Sequence, residues 1–179
     1  MREIQISDAD RRWNTPEKAV LVTSIDPEGK PNMIAVGWLM RANMEPPVFA
    51  IGINNKSRSG ENIAAGGEFA IAVPGVELAQ QVMYCGTHSG GEVDKFAETG
   101  LTAVAGKVVK APLVEECLVN VECKVVKTQE IGDHRVFFGE VVASWVSERE
   151  GKPLLIVGQE EGYELVYEEK GFRLGTVKD

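Results

Sequence analysis

The chain has 179 residues and carries 19 Lys plus Arg against 27 Asp plus Glu, a formal net charge of −8. That length closes a hydrophobic core without disulfide or metal staples, so a single domain over 1–179 is expected. The acidic balance argues against general adhesion to nucleic acid or an anionic membrane, and any phosphate site must be a local basic cluster. Cys85, Cys117 and Cys123 form no Cys-x-x-Cys pair, and the chain has only 2 histidines, so no metal site is expected. Met1 to Trp13 is polar and charged, and no apolar run reaches membrane-spanning length, which makes a reducing, cytoplasmic compartment the default.

Taken in order, Ala19 to Ile25 reads as a β-branched strand, Asp26 to Lys30 as a turn, and Pro31 to Leu39 as the returning strand of a hairpin. Glu45-Pro46-Pro47 breaks the chain before the apolar run Val48 to Ile53. Glu61 to Ala65 predicts a short helix ended by Gly66-Gly67, and Glu68 to Val73 predicts another strand. Val76 to Tyr84 has helical apolar spacing, and Glu92 to Ala97 allows one or two further turns. Strands are predicted at Lys107 to Lys110, Val114 to Val126 and Arg135 to Val146, with a turn at Ile131 to His134 between the last two. An apolar run at Pro153 to Val157 precedes a final hairpin of Tyr163 to Tyr167 with Phe172 to Val177. Strands outnumber helices, which predicts a mainly β fold with short α-helices, closed or nearly closed into a barrel.

Two loops carry chemistry. Asn54 to Asn62 supplies the cations Lys56 and Arg58 and the hydroxyls of Ser57 and Ser59, ahead of a helix whose first N–H groups lack partners. It lacks P-loop spacing, and the same residue types also build ligand-free junctions in which Ser merely caps the helix. The second loop, Cys85 to Gly91, has Gly90 and Gly91 to aim backbone N–H groups at an anion, with Ser89 and Lys95 as side-chain donors. His88 in this loop reads as a solvated histidine, and the cysteines read as buried, inert thiols.

The succession of these segments resembles the flavin reductase-like family of FMN-binding split barrels. The resemblance rests on Ala19 to Ser24 with Pro31 to Trp38, Ile51 to Asn62, Gly86 to Phe96 with its Ser89-Gly90 and Asp94-Lys95-Phe96, and Gly132-Asp133-His134 with Gly139-Glu140-Val141. It implies a homodimer with FMN in a cleft at the subunit boundary, the phosphate being held by Ser57, Arg58 and Ser59. Ser89 and Lys95 match a second flavin-contacting loop, and Trp38 and Asn54 match positions beside the flavin. His134 matches a histidine near flavin and nicotinamide, the expected catalytic residue, orienting or polarising rather than transferring an obligatory proton. Ser59 stands where many relatives have Thr, which retains the hydroxyl, and the surroundings of Arg41, Asn43 and Met44 match no family pattern.

The implied activity is transfer of hydride from NAD(P)H through FMN to flavin or another small acceptor such as a ferric complex. Two alternatives stay open: an FMN-containing electron carrier serving a redox partner protein, and a non-redox ligand-binding or assembly barrel. No Rossmann fingerprint is present, so nicotinamide would meet the flavin directly rather than in a domain of its own.

Overall fold

A computed structural model of the chain describes residues 2–6, 15–157 and 163–178. The strands are β1 (Glu17–Lys18), β2 (Val20–Ile25), β3 (Pro31–Val36), β4 (Leu39–Asn43), β5 (Val48–Asn54), β6 (Glu68–Val73), β7 (Ala103–Val104), β8 (Leu113–Val114), β9 (Val119–Ile131), β10 (His134–Val146), β11 (Leu155–Ile156), β12 (Tyr163–Glu169) and β13 (Phe172–Val177). The helices used below are α1 (Arg58–Gly66), α2 (Ala79–Thr87) and α3 (Lys95–Thr99).

A seven-stranded antiparallel sheet runs β3-β2-β6-β9-β10-β5-β4 and curls into a barrel. No ladder among the described residues joins β3 to β4, so the barrel stays open along one seam. Side chains alternate across a strand, and β2 shows what that does here. Val20 and Val22 enter the barrel interior with Ile51, Phe69, Ile71 and Phe137, whereas Ala19 and Leu21 face a second core with Met33, Val82, Met83 and Phe96. Burial on both faces explains why this strand reads as an unbroken apolar run. Helix α1 connects β5 to β6 and drives Ile63 into the barrel core, stoppering that end. A smaller sheet, β1-β11-β13-β12, packs beside the barrel, with Leu174 and Ile156 against the second core.

The structure departs from three expected strands. Pro31 to Leu39 is not continuous: β3 ends at Val36, and Leu39–Asn43 is a separate strand paired to β5 rather than to β2. Gly37 and Trp38 make the break. Val114 to Val126 likewise divides, because the turn after Val114 lets β8 pair with β7 before β9 begins at Val119. Lys107 to Lys110 is not a strand at all. Its backbone N–H groups are taken by carboxylates instead: those of Lys107, Val108 and Val109 donate to Glu122, at 3.0, 2.6 and 2.8 Å, and that of Lys110 donates to Glu68. Periodicity cannot anticipate a side chain that captures the donors a ladder would need.

Candidate cofactor site

The junction between β5 and α1 is built by its own polar side chains. Asn54 Oδ1 accepts the Lys56 N–H at 2.9 Å and the Asn54 carbonyl accepts the Ser57 N–H at 3.0 Å, which turns the chain out of the strand. Ser57 is the N-cap, extended at φ −83 and ψ 139, and its Oγ accepts the Gly60 N–H at 3.0 Å. The Glu61 N–H reaches the Ser57 carbonyl at 3.2 Å, so the N–H groups of Arg58 and Ser59 remain without a partner among the described residues. Asn55 ties this turn to the β9–β10 turn through its N–H on the Asp133 carbonyl, 2.9 Å, and its Nδ2 on the Gly132 carbonyl, 3.2 Å.

Those groups open onto a cavity of about 300 Å³ lined by Asn32, Asn54, Ser57, Arg58 and Ser59 on one side and by His88, Ser89, Gly90 and Lys95 on the other. The two loops expected to carry chemistry therefore meet. Ser59 is buried, and its Oγ accepts Asn32 Nδ2 at 2.9 Å. A hydroxyl that accepts keeps its own hydrogen to donate, so Ser57 and Ser59 each retain one donor. Arg58 is held between Asp26 at 3.3 Å and Glu61 at 3.5 Å, which orient the guanidinium without exhausting its five donors. The Lys30 N–H on Asp26, together with Arg58, holds the Asp26 carboxyl below its usual value. Lys95 is buried, its Nζ donating to the Cys85 carbonyl at 2.6 Å, and burial pulls its pKa down.

Three residues gain a meaning the sequence alone does not give them. Asn32 is the signal that was there to find: a carboxamide inside an apolar strand, buried because it holds Ser59. Gly90 and Gly91 do not serve through left-handed backbone, since neither has a positive φ. Gly90 is glycine because a Cβ there would run into the Asn32 carboxamide. His88 is exposed, as its sequence context suggests, and it also stands on the cavity wall with its ring stacked on Tyr84, centroids 3.9 Å apart. Its Nδ1 lies 3.1 Å from the Tyr84 carbonyl, which only accepts, so Nδ1 carries the proton in that contact. The three cysteines are buried, and burial pushes their thiols up to about 12.

Trp38 and His134 meet beside this cavity. Their ring centroids are 4.6 Å apart and tilted by 38°, and His134 pairs with Asn54 across the β5–β10 ladder. Gly52 lets the indole lie close, since a Cβ there would sit 3.1 Å from Trp38 Cε3. Asp133 Oδ1 holds His134 Nδ1 at 2.7 Å, and this contact is the largest cause of the lowered Asp133 pKa. A second hollow of about 230 Å³, with Gly37, Trp38, Met83 and Phe172 on its walls, shares Gly86 and Thr87 with the first. A polar, cationic pocket thus adjoins an apolar one across Gly86 and Thr87, a pairing suited to a ligand with an anionic end and a flat ring end.

The flavin reductase like domain family matches residues 12–173. The chain belongs to the flavin reductase-like family. A protein of Archaeoglobus fulgidus described only as uncharacterized is 37% identical over 69% of this chain and 71% of its own. A flavin reductase of Pseudomonas putida is 28% identical over 78% of this chain and 82% of its own. The solved flavoredoxin of Methanosarcina acetivorans superposes with a TM-score of 0.81 at 29% identity, covering 100% of this chain and 93% of that one. The seam-open barrel is accordingly a split barrel of this flavoprotein family.

The residues present fit a flavin phosphate: two serine hydrogens, two unpaired N–H groups and a guanidinium face one cavity whose floor Gly90 keeps clear. Among the described residues, no helix is long and apolar enough to cross a membrane.

Proposed function

We infer that the protein is an FMN-dependent oxidoreductase that passes hydride from NAD(P)H through bound FMN to flavin or another small acceptor such as a ferric complex. The observation that carries this reading is the convergence of Ser57, Arg58, Ser59, Ser89 and Lys95 on one cavity that adjoins the hollow lined by Trp38. FMN supplies the redox chemistry when bound; the chain's residues hold and orient it. Ser57, Ser59 and Arg58 donate to the phosphate, each charge-assisted bond contributing about 1.5 to 3 kcal/mol. Asn32 fixes the Ser59 hydroxyl, and Asn54 shapes the turn that aims the helix N-terminus. Trp38 walls the ring end. His134, steadied by Asp133 and Trp38, would orient groups at the ring end of a bound flavin.

We place FMN at a homodimer boundary, as the family resemblance implies. An exposed apolar face supports that reading: Trp38 is 55% and Met40 61% exposed, beside Gly52, Val136 and Phe138. The free cysteines suit a reducing cytoplasm. Titration of the protein with FMN and with riboflavin tests the cofactor claim, since only a phosphate-holding cradle binds FMN much more tightly than riboflavin. Equal binding of the two contradicts it.

The end-to-end likeness to a flavoredoxin favours a second reading, an electron carrier that keeps FMN bound and exchanges electrons with a protein partner. Negligible NAD(P)H oxidation by a stably flavinated protein selects it over the first.

A further inference from the structure

The two ends of the barrel differ. Helix α1 stoppers one end with Ile63, but the other end, where β2, β6 and β9 meet β5 and β10, opens to solvent through a cavity of about 580 Å³. Its wall is apolar, built from Val20, Phe49, Ile71, Val121, Val141 and Leu154. Phe49, Val73, Val121 and Val141 are only partly buried, although they point into the barrel, because they face this space instead of one another. The volume lies in the range of small-molecule sites, and barrel mouths are a common place for them. None of its lining residues belongs to the phosphate cradle.

The charged groups at this mouth are cationic. Lys18 and Arg41 line it with the hydroxyl residue Ser144, and neither cation has a carboxylate partner among the described residues. Arg41 is nevertheless placed: it pairs with Phe49 across the β4–β5 ladder, its guanidinium carbon lies 5.5 Å from the Phe49 ring centroid, and Nη1 contacts Met44 Sδ at 3.5 Å. This cross-strand register points Arg41 to the same side as Leu39 and Ile51, toward the barrel interior rather than toward Trp38 and Met40. A planar guanidinium with unused donors, at the lip of an apolar pocket, is matched to a carboxylate.

We propose that the open end of the barrel is a second binding site, for a small apolar monocarboxylate whose hydrocarbon body enters the cavity and whose carboxylate is held by Arg41 and Lys18. Octanoate is the ligand for the test, titrated calorimetrically into the FMN-loaded protein, with octan-1-ol as the neutral control. Saturable binding of octanoate is expected, weakened about tenfold or more by Arg41→Gln and by loss of the carboxylate in octan-1-ol, with the flavin absorbance unchanged. Arg41 is exposed, so Arg41→Gln leaves the core intact. Val141→Phe, which fills the cavity, abolishes the binding, and its retained far-UV dichroism shows that the barrel still folds. Three results overturn the proposal: no saturable heat with octanoate, equal binding of octan-1-ol, or a change of oligomeric state in Val141→Phe that marks the mouth as a contact with a second copy. Each can occur with FMN fully bound, so it is distinct from failure of the cofactor reading.

Discussion

Asn32 donates its carboxamide N–H to Ser59 Oγ at 2.9 Å while its oxygen occupies the space a side chain at position 90 would need. One residue of the first hairpin thereby links the N-terminus of α1 to the loop after α2. Gly90→Ala must push Asn32 aside and release Ser59. We expect FMN affinity to fall about tenfold or more, at an overpacking cost of about 1 to 3 kcal/mol. Flavin fluorescence titration measures the first effect and thermal unfolding the second; unchanged FMN affinity contradicts the linkage.

Arg58 and Ser57 separate binding from folding. Arg58→Ala removes a partly exposed side chain and should weaken FMN about ten- to a hundredfold, with little change in the melting temperature of the FMN-free protein. Ser57→Ala loses the helix cap as well, so it should also cost about 1 kcal/mol of stability without ligand. Riboflavin, which has no phosphate, should bind both variants as it binds the parent protein.

His134 and Trp38 act at the other end of the site. His134→Ala leaves the phosphate cradle intact, so FMN should bind with little change while the rate of flavin reduction by NAD(P)H falls. Stopped-flow absorbance reads the rate. A variant that loses FMN without losing rate per bound flavin would assign His134 to binding alone.

Glu122 carries the clearest pH dependence. It is fully buried, and burial pushes its pKa up, but the N–H groups of Val109, Lys107 and Val108 and the Trp145 indole outweigh that and leave it below its ordinary 4.5. A depressed carboxylate contributes stability that is present above about 4.5 and lost as the pH falls through the lower folded value. Denaturant unfolding should show that loss in the parent protein and its reduction in Glu122→Gln, which itself should cost about 3 kcal/mol near neutral pH by leaving buried donors badly paired.

The same carboxylate marks the limit of what sequence shows. The β2–β3 hairpin, the β9–β10 hairpin and α1 are legible because turn residues, β-branched runs and a Ser cap state them locally. The 107–110 segment is not, since its N–H groups are claimed by Glu122 from 13 to 15 residues away and by Glu68 from 42. Within the site, Ser57, Arg58 and Ser59 announce an anion cradle by composition. The Asp26 partner of Arg58 and the Asn32 support of Ser59 depend on the fold, since they lie 32 and 27 residues away.

The central claim is that this cradle holds FMN for reduction by a nicotinamide. The visible absorbance spectrum of the purified protein, taken without oxygen before and after addition of NADH or NADPH, tests it most directly. Flavin absorbance is expected at the outset or after FMN is supplied, bleached when reduced nicotinamide is added. A protein that stays colourless with added FMN, or whose bound flavin is not bleached even slowly, contradicts it.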